Sequence, residues 1–575
     1  MTRVRVWAPN PGSVELVTPE GRRAMEAEDG EWYAASIEGD GGRDYGFSLD
    51  GGPVRPDPRS PWQPHGIDGP SRTLDHDEFE WTDSSWTGRV LPGSVVYELH
   101  VGTFTPEGTY TAIVDKLDHL VRLGVTTVEL MPVGEFSGER GWGYDGVDLY
   151  APHHAYGTPD DLKRLVDACH ARGLAVLLDV VYNHLGPAGN YLPEFGPYFT
   201  DRYSTPWGDA VNFDGPHSHE VRSFVVDNAL MWLRDYHFDG LRIDAVHAIL
   251  DTSAVHVLEE LSVRVGELEG HLGRKLTLIA ESDLNDPRVV TPRTAGGHGI
   301  DAQWSDDFHH SLHALLTGER DGYFADFGEV SHLATAFTNA FVYAERYSPY
   351  RKRVHGRRPI GLSGHRFLAY LQNHDQVGNR ATGERSSMLV SNDLLKVAAA
   401  LVFTAPFTPM LFMGEEWGAG TPFLYFTSHE DPALGRAVSE GRRREFEAFG
   451  WDPAAVPDPQ ELETFERSKL RWDEIDEQPH ADLLEWHKQL IRLRASTPAL
   501  TDGRMDLVGT TYSDAERWLV VERGPITVAA SFSDAAVRLP LAGERTSDVV
   551  LSSGKVEAGP RELELGPESV AIFRS

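Results

Sequence analysis

The stretch Gly240-Leu241-Arg242-Ile243-Asp244 decides the fold. It is one of eight short, largely apolar runs, and amphipathic segments with helical spacing separate these runs along the chain. That alternation is typical of a parallel sheet with crossover helices, and eight strands are what a closed (β/α)8 TIM barrel needs. The predicted strands span residues 95–100, 125–131, 175–182, 240–244, 276–281, 301–304, 367–373 and 410–413.

One crossover helix is signalled at both ends. Thr158 is a suitable N-cap, Pro159 suits the first helical position, and Gly173 is a suitable stop. Cys169, the only cysteine, lies on the apolar stripe of this segment, so we interpret it as a small core residue and not as a nucleophile.

The sequence on either side of the barrel changes to β-prone runs separated by turns. The runs at 3–7, 14–17, 32–36 and 44–48 predict an N-terminal β-sandwich, and those at 518–522, 526–531, 547–551 and 569–573 predict a C-terminal β-sandwich. We therefore predict a multidomain chain. Its domains are 1–90, the N-terminal sandwich; 91–499, the barrel, with its last helix at 482–494 and an insertion near 415–478; and 500–575, the C-terminal sandwich.

Composition excludes several classes of protein. The 575 residues are 40% hydrophobic and 10% aromatic, which is too apolar for a mainly disordered chain. With 53 basic and 88 acidic side chains, the net charge of −35 disfavours nucleic acid and anionic membranes as partners. The most apolar stretch, 397–413, is too short and interrupted to span a bilayer, and the first residues lack the apolar run of a secretory signal. With a single cysteine, these features predict a cytoplasmic location.

Polar side chains collect at the ends of four predicted strands. Since the reactive groups of a βα barrel lie where its strands end, these residues are the candidates for chemistry. They are Asp179 and His184 towards the end of the third strand, Arg242 and Asp244 in the fourth, Glu281 at the end of the fifth, and His374 and Asp375 after the seventh.

Two of these acids are predicted to differ in protonation. Arg242 and Asp244 share one face of a strand, and a neighbouring arginine favours an ionised carboxylate, which suits a nucleophile. Glu281 follows an apolar run, which favours the protonated form that a general acid needs. Retaining glycoside hydrolysis requires such a pair, roughly 5 to 5.5 Å apart, and Asp375 would stabilise the transition state. For a single aspartate an ordinary ion pair is the simpler explanation, but several such groups at four strand ends favour a site.

Four stretches, taken in order, resemble a known set of motifs. They are Asp179-Val180-Val181-Tyr182-Asn183-His184, Gly240-Leu241-Arg242-Ile243-Asp244, Ala280-Glu281-Ser282 and Asn373-His374-Asp375. They look like the four conserved regions of the α-amylase family of glycoside hydrolases. The resemblance implies Asp244 as nucleophile, Glu281 as acid/base and Asp375 as transition-state stabiliser. It also implies substrate contacts from Tyr144, Asp145, His184, Arg242 and His374, although Tyr144 could instead be a core residue.

Further segments resemble one subgroup of that family, whose members cleave the α-1,4 bond beside a terminal trehalose unit. The segments include residues 304–310, 316–319, 372–380, 414–417 and 468–472. The resemblance implies further substrate contacts from His247, Asp307, His309, Gln376 and Asn379; packing or loop roles for His309 and His310 stay open.

No cofactor or metal is predicted. Asn183, Asp214 and His217 or His219 are conceivable calcium ligands, but no Asp-rich loop of EF-hand spacing accompanies them.

The resemblance thus implies a retaining hydrolase that releases trehalose from malto-oligosyltrehalose, with a glucan-binding-like N-terminal sandwich. The resemblance implies a metabolic link to the synthase that makes this substrate by isomerising the reducing end of maltodextrin. A glycogen branching or debranching enzyme and a non-catalytic glucan-binding protein are the alternatives.

Overall fold

The computed structural model describes residues 2–39, 41–448, 455–540, 548–559 and 562–574. Its centre is a closed barrel of eight parallel strands, and each strand overlaps one of the predicted runs. The last strand pairs with the first, Met410 opposite Val96, and this pairing closes the barrel. The barrel strands are Val96–Leu99, Thr127–Leu130, Ala175–Val180, Gly240–Ile243, Thr277–Ala280, Ala302–Trp304, Phe367–Ala369 and Thr408–Phe412.

The fourth strand passes close to both of its neighbours. Gly240 is in register with Leu177 on one side and Thr277 on the other. A Cβ atom on Gly240 would lie 2.2 Å from the Thr277 carbonyl oxygen and 2.8 Å from Leu177 Cδ2. Only glycine therefore fits at the start of the strand that carries Arg242.

Helices surround the barrel as predicted. Thr158 caps its helix through a capping box with Asp161, and Cys169 is fully buried on the inner stripe, where burial raises its thiol pKa as expected for a core residue. The last helix extends two residues beyond the prediction at each end. The helices are Val101–Phe104, Tyr110–Val114, Leu117–Leu123, Pro159–Ala171, Ser218–Asp235, Val257–Leu272, Asp306–Thr317, Val330–Asn339, Asn392–Thr404 and His480–Ser496.

Loops at the barrel rim carry small elements of their own. The short helices are Leu192–Phe195, His374–Gly378 and Ser386–Leu389, and the paired strands are Gly134–Glu135 with Asp148–Pro152, Phe199–Thr205 with Gly208–Val211, and Arg346–Ser348 with Arg353–His355. Outside residues 415–478, the described 3-10 turns, in these loops and in the connections to the two sandwiches, are His76–Glu78, His154–Tyr156, Val246–Ala248, Arg293–Ala295, Gly322–Phe324, Gly364–Arg366, Pro498–Leu500 and Met505–Leu507.

The segment between the last barrel strand and the last barrel helix is largely helical. It holds the elements Glu415–Trp417, Pro432–Ala448, Leu462–Arg467 and Trp472–Asp476. We call residues 415–478 the insertion.

Two antiparallel sheets form the N-terminal β-sandwich that the sequence predicts. One sheet contains Thr2–Trp7, Trp32–Ile37 and Glu26–Glu28; the other contains Gly21–Ala24, Val14–Thr18, Asp44–Leu49, Val54–Arg55 and Ser71–Arg72. The sandwich packs on the barrel rim, where Trp7 meets Tyr198 edge to face at 5.3 Å between ring centres.

The C-terminal β-sandwich is also present. A five-stranded sheet contains Val508–Ser513, Trp518–Arg523, Ile526–Ser531, Val570–Arg574 and Asp548–Ser552, and a three-stranded sheet contains Val537–Pro540, Glu562–Leu565 and Val556–Ala558. The predicted strand at 547–551 begins on a residue outside the described ranges. Buried Arg523 donates to the Thr404 carbonyl at 2.7 Å and so joins this sheet to a barrel helix. Within the described ranges, we find no helix with the length and apolar character of a membrane span.

The close packing around Gly240 predicts a large loss of stability for Gly240→Ala. The added methyl group has no free volume between the Thr277 backbone and the Leu177 side chain, and overpacking typically costs about 1–3 kcal/mol. The loss should appear as a lower urea midpoint of unfolding. Gly270→Ala is the matched control, because Gly270 lies in the helix Val257–Leu272 and a Cβ there meets nothing within 4 Å. Equal midpoints for the two variants would contradict this account of the strand.

Candidate active site

A cleft of about 480 Å³ opens at the carboxyl ends of the barrel strands. Nine residues predicted from the sequence line it: Tyr144, Asp145, His184, Asp244, His247, Glu281, His374, Asp375 and Asn379. The three acids predicted to do the chemistry are thus neighbours in one cleft, although 131 positions separate the first from the last in the chain.

Arg242 lies beneath the cleft floor and is fully buried. Its Nη1 donates to both carboxylate oxygens of Asp179 at 2.9 Å and to Asp244 Oδ1 at 2.8 Å, while Nη2 is 3.7 Å from Glu281 Oε2. The guanidinium carbon stands 4.2 Å from the centre of the Trp304 ring. One buried cation therefore holds three acids from three neighbouring strands.

The two acids nearest the centre differ in their hydrogen bonds. Asp244 accepts from Arg242 and, at 2.7 Å, from Asn183 Nδ2. Glu281 accepts from the backbone N–H of Ala245 at 2.5 Å, and its contact with Arg242 is longer. Burial raises the pKa of Glu281 above its usual range, with Arg242 opposing and Asp244 adding to the effect. The geometry gives Asp244 two side-chain donors, and the raised pKa of Glu281 agrees with the protonated form that the sequence predicted for it.

Asp375 occupies the second position of the short helix His374–Gly378, and its side chain is 43% exposed at the cleft wall. Asn373 caps this helix by accepting from the backbone N–H of Asp375 at 2.9 Å. Asn379 Nδ2 donates to Asp375 Oδ1 at 3.1 Å. The cap fixes the backbone of Asp375. The hydrogen bond from Asn379 fixes the side chain of Asp375.

A hydrogen-bonded chain links Asp179 to a buried acid of the first barrel strand. Tyr144 Oη donates to Asp179 at 2.6 Å and lies 2.8 Å from His374 Nε2, and His374 Nδ1 lies 2.5 Å from Glu98 Oε1. Burial alone would lower the pKa of His374, but the carboxylates of Glu98 and Asp375 raise it to about 9. Burial raises the pKa of Asp179 to about 7 against the effect of Arg242. His374 is therefore an imidazolium at neutral pH, and it donates through Nε2 to Tyr144.

Sequence reasoning missed Glu98. The signal was present, because Glu98 is the one charged side chain in the apolar stretch Val95-Val96-Tyr97-Glu98-Leu99, and a buried charge requires a partner. What the sequence did not reveal is that the partner is His374, which lies 276 positions further along.

An aromatic pair forms another part of the cleft wall. The Trp207 indole, on the hairpin turn between Phe199–Thr205 and Gly208–Val211, stacks on the His184 ring with centres 4.4 Å apart. Burial lowers the pKa of His184, so this ring is neutral at pH 7. Trp207 was not predicted, since the loop around it shows no motif that points to the cleft.

Four predicted substrate contacts lie outside the cleft lining, and three of them make structural hydrogen bonds, while their contact with substrate stays a prediction. Asp307 is buried and accepts from the backbone N–H groups of Val342 and Tyr343 at 2.6 and 2.8 Å, which anchors that loop. His309 is fully buried, and its Nδ1 is hydrogen-bonded to the Leu371 carbonyl, in keeping with the packing alternative. Gln376 completes the cap of its helix by accepting from the Asn373 N–H at 2.9 Å. Arg242, the fourth, lies below the cleft floor and contacts Asp244 and Glu281.

The insertion supplies a wall of the cleft that the motifs did not reveal. Tyr425, Thr427, His429 and Glu445 line it, and His429 Nε2 is 3.9 Å from Asp145 Oδ2. Their position is set by tertiary packing of a long segment, which no local sequence signal reports.

Possible metal ligands were also located. Asn183 contacts Asp244, Asp214 accepts from Thr252 and Tyr203, and His217 pairs with Glu31, so the conceivable calcium ligands have separate partners. Elsewhere, Glu135, His153 and His154 place ligand atoms within 4.8 Å of one another. There Glu135 Oε1 is 2.7 Å from His154 Nδ1 and 3.2 Å from His153 Nδ1, distances of hydrogen bonds within the trio.

A closed barrel whose strand ends hold an arginine-linked acid cluster defines a glycoside hydrolase of the α-amylase class. In agreement, the sequence profile described as "Alpha amylase, catalytic domain" matches residues 72–201. A second profile, a domain of unknown function named DUF3459, matches residues 508–572 in the C-terminal sandwich.

Full-length relatives narrow the class. Malto-oligosyltrehalose trehalohydrolase of Arthrobacter ramosus is 50% identical, over 100% of this chain and 99% of its own. The enzyme of that name from Rhizobium sp. (strain M-11) is 49% identical, over 100% and 97%. A crystal structure from Salmonella typhimurium, with the provisional description of an alpha amylase, is 38% identical and superposes with a TM-score of 0.92 over 100% of this chain and 97% of that one. The chain belongs to the malto-oligosyltrehalose trehalohydrolase family.

The contact between Glu98 and His374 predicts a change in pH dependence. In Glu98→Gln the carboxylate that raises the His374 pKa is gone, so the imidazolium should lose its proton at lower pH. We expect the pKa of the His374 imidazole to fall by about one unit or more. The measurement is the NMR pH titration of the His374 ring in the variant and in the parent chain.

Glu129→Gln is the matched control. Glu129 lies in register with Glu98 on the neighbouring strand, and burial raises its pKa well above the usual range, which favours the neutral form. An amide in its place should leave the His374 titration unchanged. A Glu98→Gln titration that coincides with both would contradict the assigned role of Glu98.

Proposed function

We propose that this chain hydrolyses the α-1,4-glucosidic bond next to the terminal trehalose of malto-oligosyltrehalose and releases trehalose and a maltooligosaccharide. The observation that carries the proposal is the contact of one buried guanidinium with both Asp244 and Glu281 at the floor of the cleft. The names of the relatives and their full-length similarity to this chain support malto-oligosyltrehalose as the substrate.

In the first step Asp244 Oδ attacks the anomeric carbon as Glu281 gives its proton to the glycosidic oxygen. The bond to trehalose breaks, trehalose leaves with that proton, and a β-glucosyl ester of Asp244 forms. The raised pKa of Glu281 supports its role as the acid, and the cation of Arg242 lies where it stabilises the Asp244 carboxylate before attack.

In the second step the same Glu281, now ionised, takes a proton from water. The water oxygen attacks the anomeric carbon from the face that trehalose left, and the ester bond to Asp244 breaks. Two inversions restore the α configuration, so the maltooligosaccharide is released as its α anomer.

The remaining residues of the cleft position the glucosyl unit. Asp375, exposed at the wall, accepts hydrogen bonds from sugar hydroxyls and favours the positively charged transition state. Tyr144 offers its ring to the sugar, and His184, His374, Asp145, His247 and Asn379 offer polar atoms in the same space. Arg242 acts through Asp244 and Glu281, two of the three acids that it holds.

We further propose the domain division 1–90, 91–499 and 500–575, with the insertion at 415–478 as part of the cleft. A cytoplasmic location and a metabolic link to the synthase that makes malto-oligosyltrehalose complete the proposal. No cofactor, metal or nucleic acid enters it.

Product analysis tests the proposal. Purified protein is incubated with maltotetraosyl trehalose and, separately, with maltohexaose, and the first products are followed by proton NMR. We expect trehalose and α-maltotetraose from the first substrate and little attack on the second. Formation of α-1,6 branches, or the β anomer as first product, would contradict the proposal. The absence of any product from both substrates would also contradict it.

Variants of the two acids test the residue roles. Asp244→Asn and Glu281→Gln should each lower kcat by about 1,000-fold or more with the fold intact by circular dichroism. Asp307→Asn is the control, because Asp307 is a buried acid outside the cleft. Any fall in its kcat should be explained by a fall in the stability of the variant. A near-normal rate for Asp244→Asn would remove Asp244 as the nucleophile.

A further inference from the structure

The long helix of the insertion, Pro432–Ala448, reaches the short helix that carries Asp375. Arg442 Nη2 donates to the Gly378 carbonyl at 2.5 Å, and its Nη1 donates to Asn379 Oδ1 at 3.2 Å. These contacts cross from the insertion to the loop after the seventh barrel strand, over 63 positions of sequence.

The contact with Asn379 determines how that amide faces Asp375. Because the amide oxygen of Asn379 accepts from Arg442, its NH2 group faces the other way and donates to Asp375 Oδ1 at 3.1 Å. An amide has one accepting and one donating end, so a cation on one side selects the donor for the other. Without Arg442 the amide could turn and present its oxygen to a carboxylate, which is repulsive.

Arg442 is itself held firmly. Its side chain is 11% exposed, and the guanidinium carbon lies 4.9 Å from the Tyr425 ring centre and 4.8 Å from that of Phe446. Glu445 Oε2 is 3.6 Å from its Nη1. The planar guanidinium fits between the rings and still offers two directed donors, whereas a lysine ammonium would be a single mobile point charge.

We propose that Arg442 is a positioning residue for Asp375, acting through Asn379, so that the insertion sets the geometry of a catalytic acid as well as forming a wall of the cleft. The inference rests on the proposed function of Asp375. It assigns a role in the reaction to a residue that lies outside the four motifs and does not line the cleft.

Kinetics of Arg442→Ala and Arg442→Lys on maltotetraosyl trehalose test the inference. We expect kcat to fall about tenfold in both, with KM within about twofold, because the ground-state contacts of the substrate remain while transition-state stabilisation is lost. Guanidinium ion added at millimolar concentration should restore part of the rate of Arg442→Ala and none of that of Arg442→Lys.

Arg443→Ala is the matched control. Arg443 follows on the same helix but points to Asp458, with Nη2 3.2 Å from Oδ2 and 43% of its side chain exposed. Its kcat should stay within about twofold of the parent. Equal losses in Arg442→Ala and Arg443→Ala would mean that the helix as a whole, and not the Arg442 contact, is required, and would overturn the inference.

A double-mutant cycle with Asn379→Ala tests whether Arg442 acts through Asn379. If Arg442 acts through Asn379, the double variant should be no slower than Asn379→Ala alone. Additive losses would overturn the path through Asn379, and a normal kcat for Arg442→Ala would overturn the inference altogether. The thermal midpoint of unfolding of each variant separates these effects from loss of fold. If Arg442→Ala is unstable, the same kinetic comparison is made with Arg442→Lys, which keeps the charge near the two rings.

Asp375→Asn separates this inference from the proposed function. A large loss in Asp375→Asn together with normal rates in both Arg442 variants overturns the positioning role alone. A normal rate in Asp375→Asn overturns the proposed role of Asp375 and with it the inference.

Discussion

A guanidinium group without access to water lies at the centre of this structure. Removing such a charge from water costs several kcal/mol unless neighbouring acids and hydrogen bonds compensate for it. Around Arg242 the compensation comes from Asp179, Asp244 and Glu281, with the face of Trp304 on one side. These residues belong to four adjacent barrel strands or their ends, so the barrel register and the acid cluster depend on each other.

The same arrangement explains how similar carboxyl groups obtain different tasks. Asp244 has two side-chain donors at hydrogen-bond distance, whereas Glu281 has one backbone donor and a longer contact with the cation. A carboxylate with more donors is stabilised in its charged form, and one with fewer is more easily protonated. A second buried cation, His374, is balanced by Glu98 and joined to the first through Tyr144 and Asp179. The difference between the proposed nucleophile and the proposed acid is therefore a property of the network.

Much of the fold was predictable, because apolar runs and helix caps are local signals. The eight strands, the helix after Thr158 and both sandwiches follow from patterns within a few residues. Several site residues were accessible for a similar reason, since the ends of barrel strands converge. The exceptions are instructive. Gln376 and Asp307 lie within motifs, yet their side chains bond backbone N–H groups, and a motif does not state which way a side chain faces. Glu98, Trp207 and the insertion residues needed the tertiary structure, because their partners are remote in sequence.

The closure of the barrel by its first and last strands has a consequence for synthesis. A ribosome makes Glu98 early, but the histidine that it holds is 276 residues away, and Met410, which pairs with the first strand, is made later still. Until those residues emerge, the acid of the first strand has no cation and the sheet has two open edges. The nascent polypeptide therefore cannot cleave glucan in the cell before nearly the whole barrel has left the ribosome, and activity begins with the folding event that joins its ends.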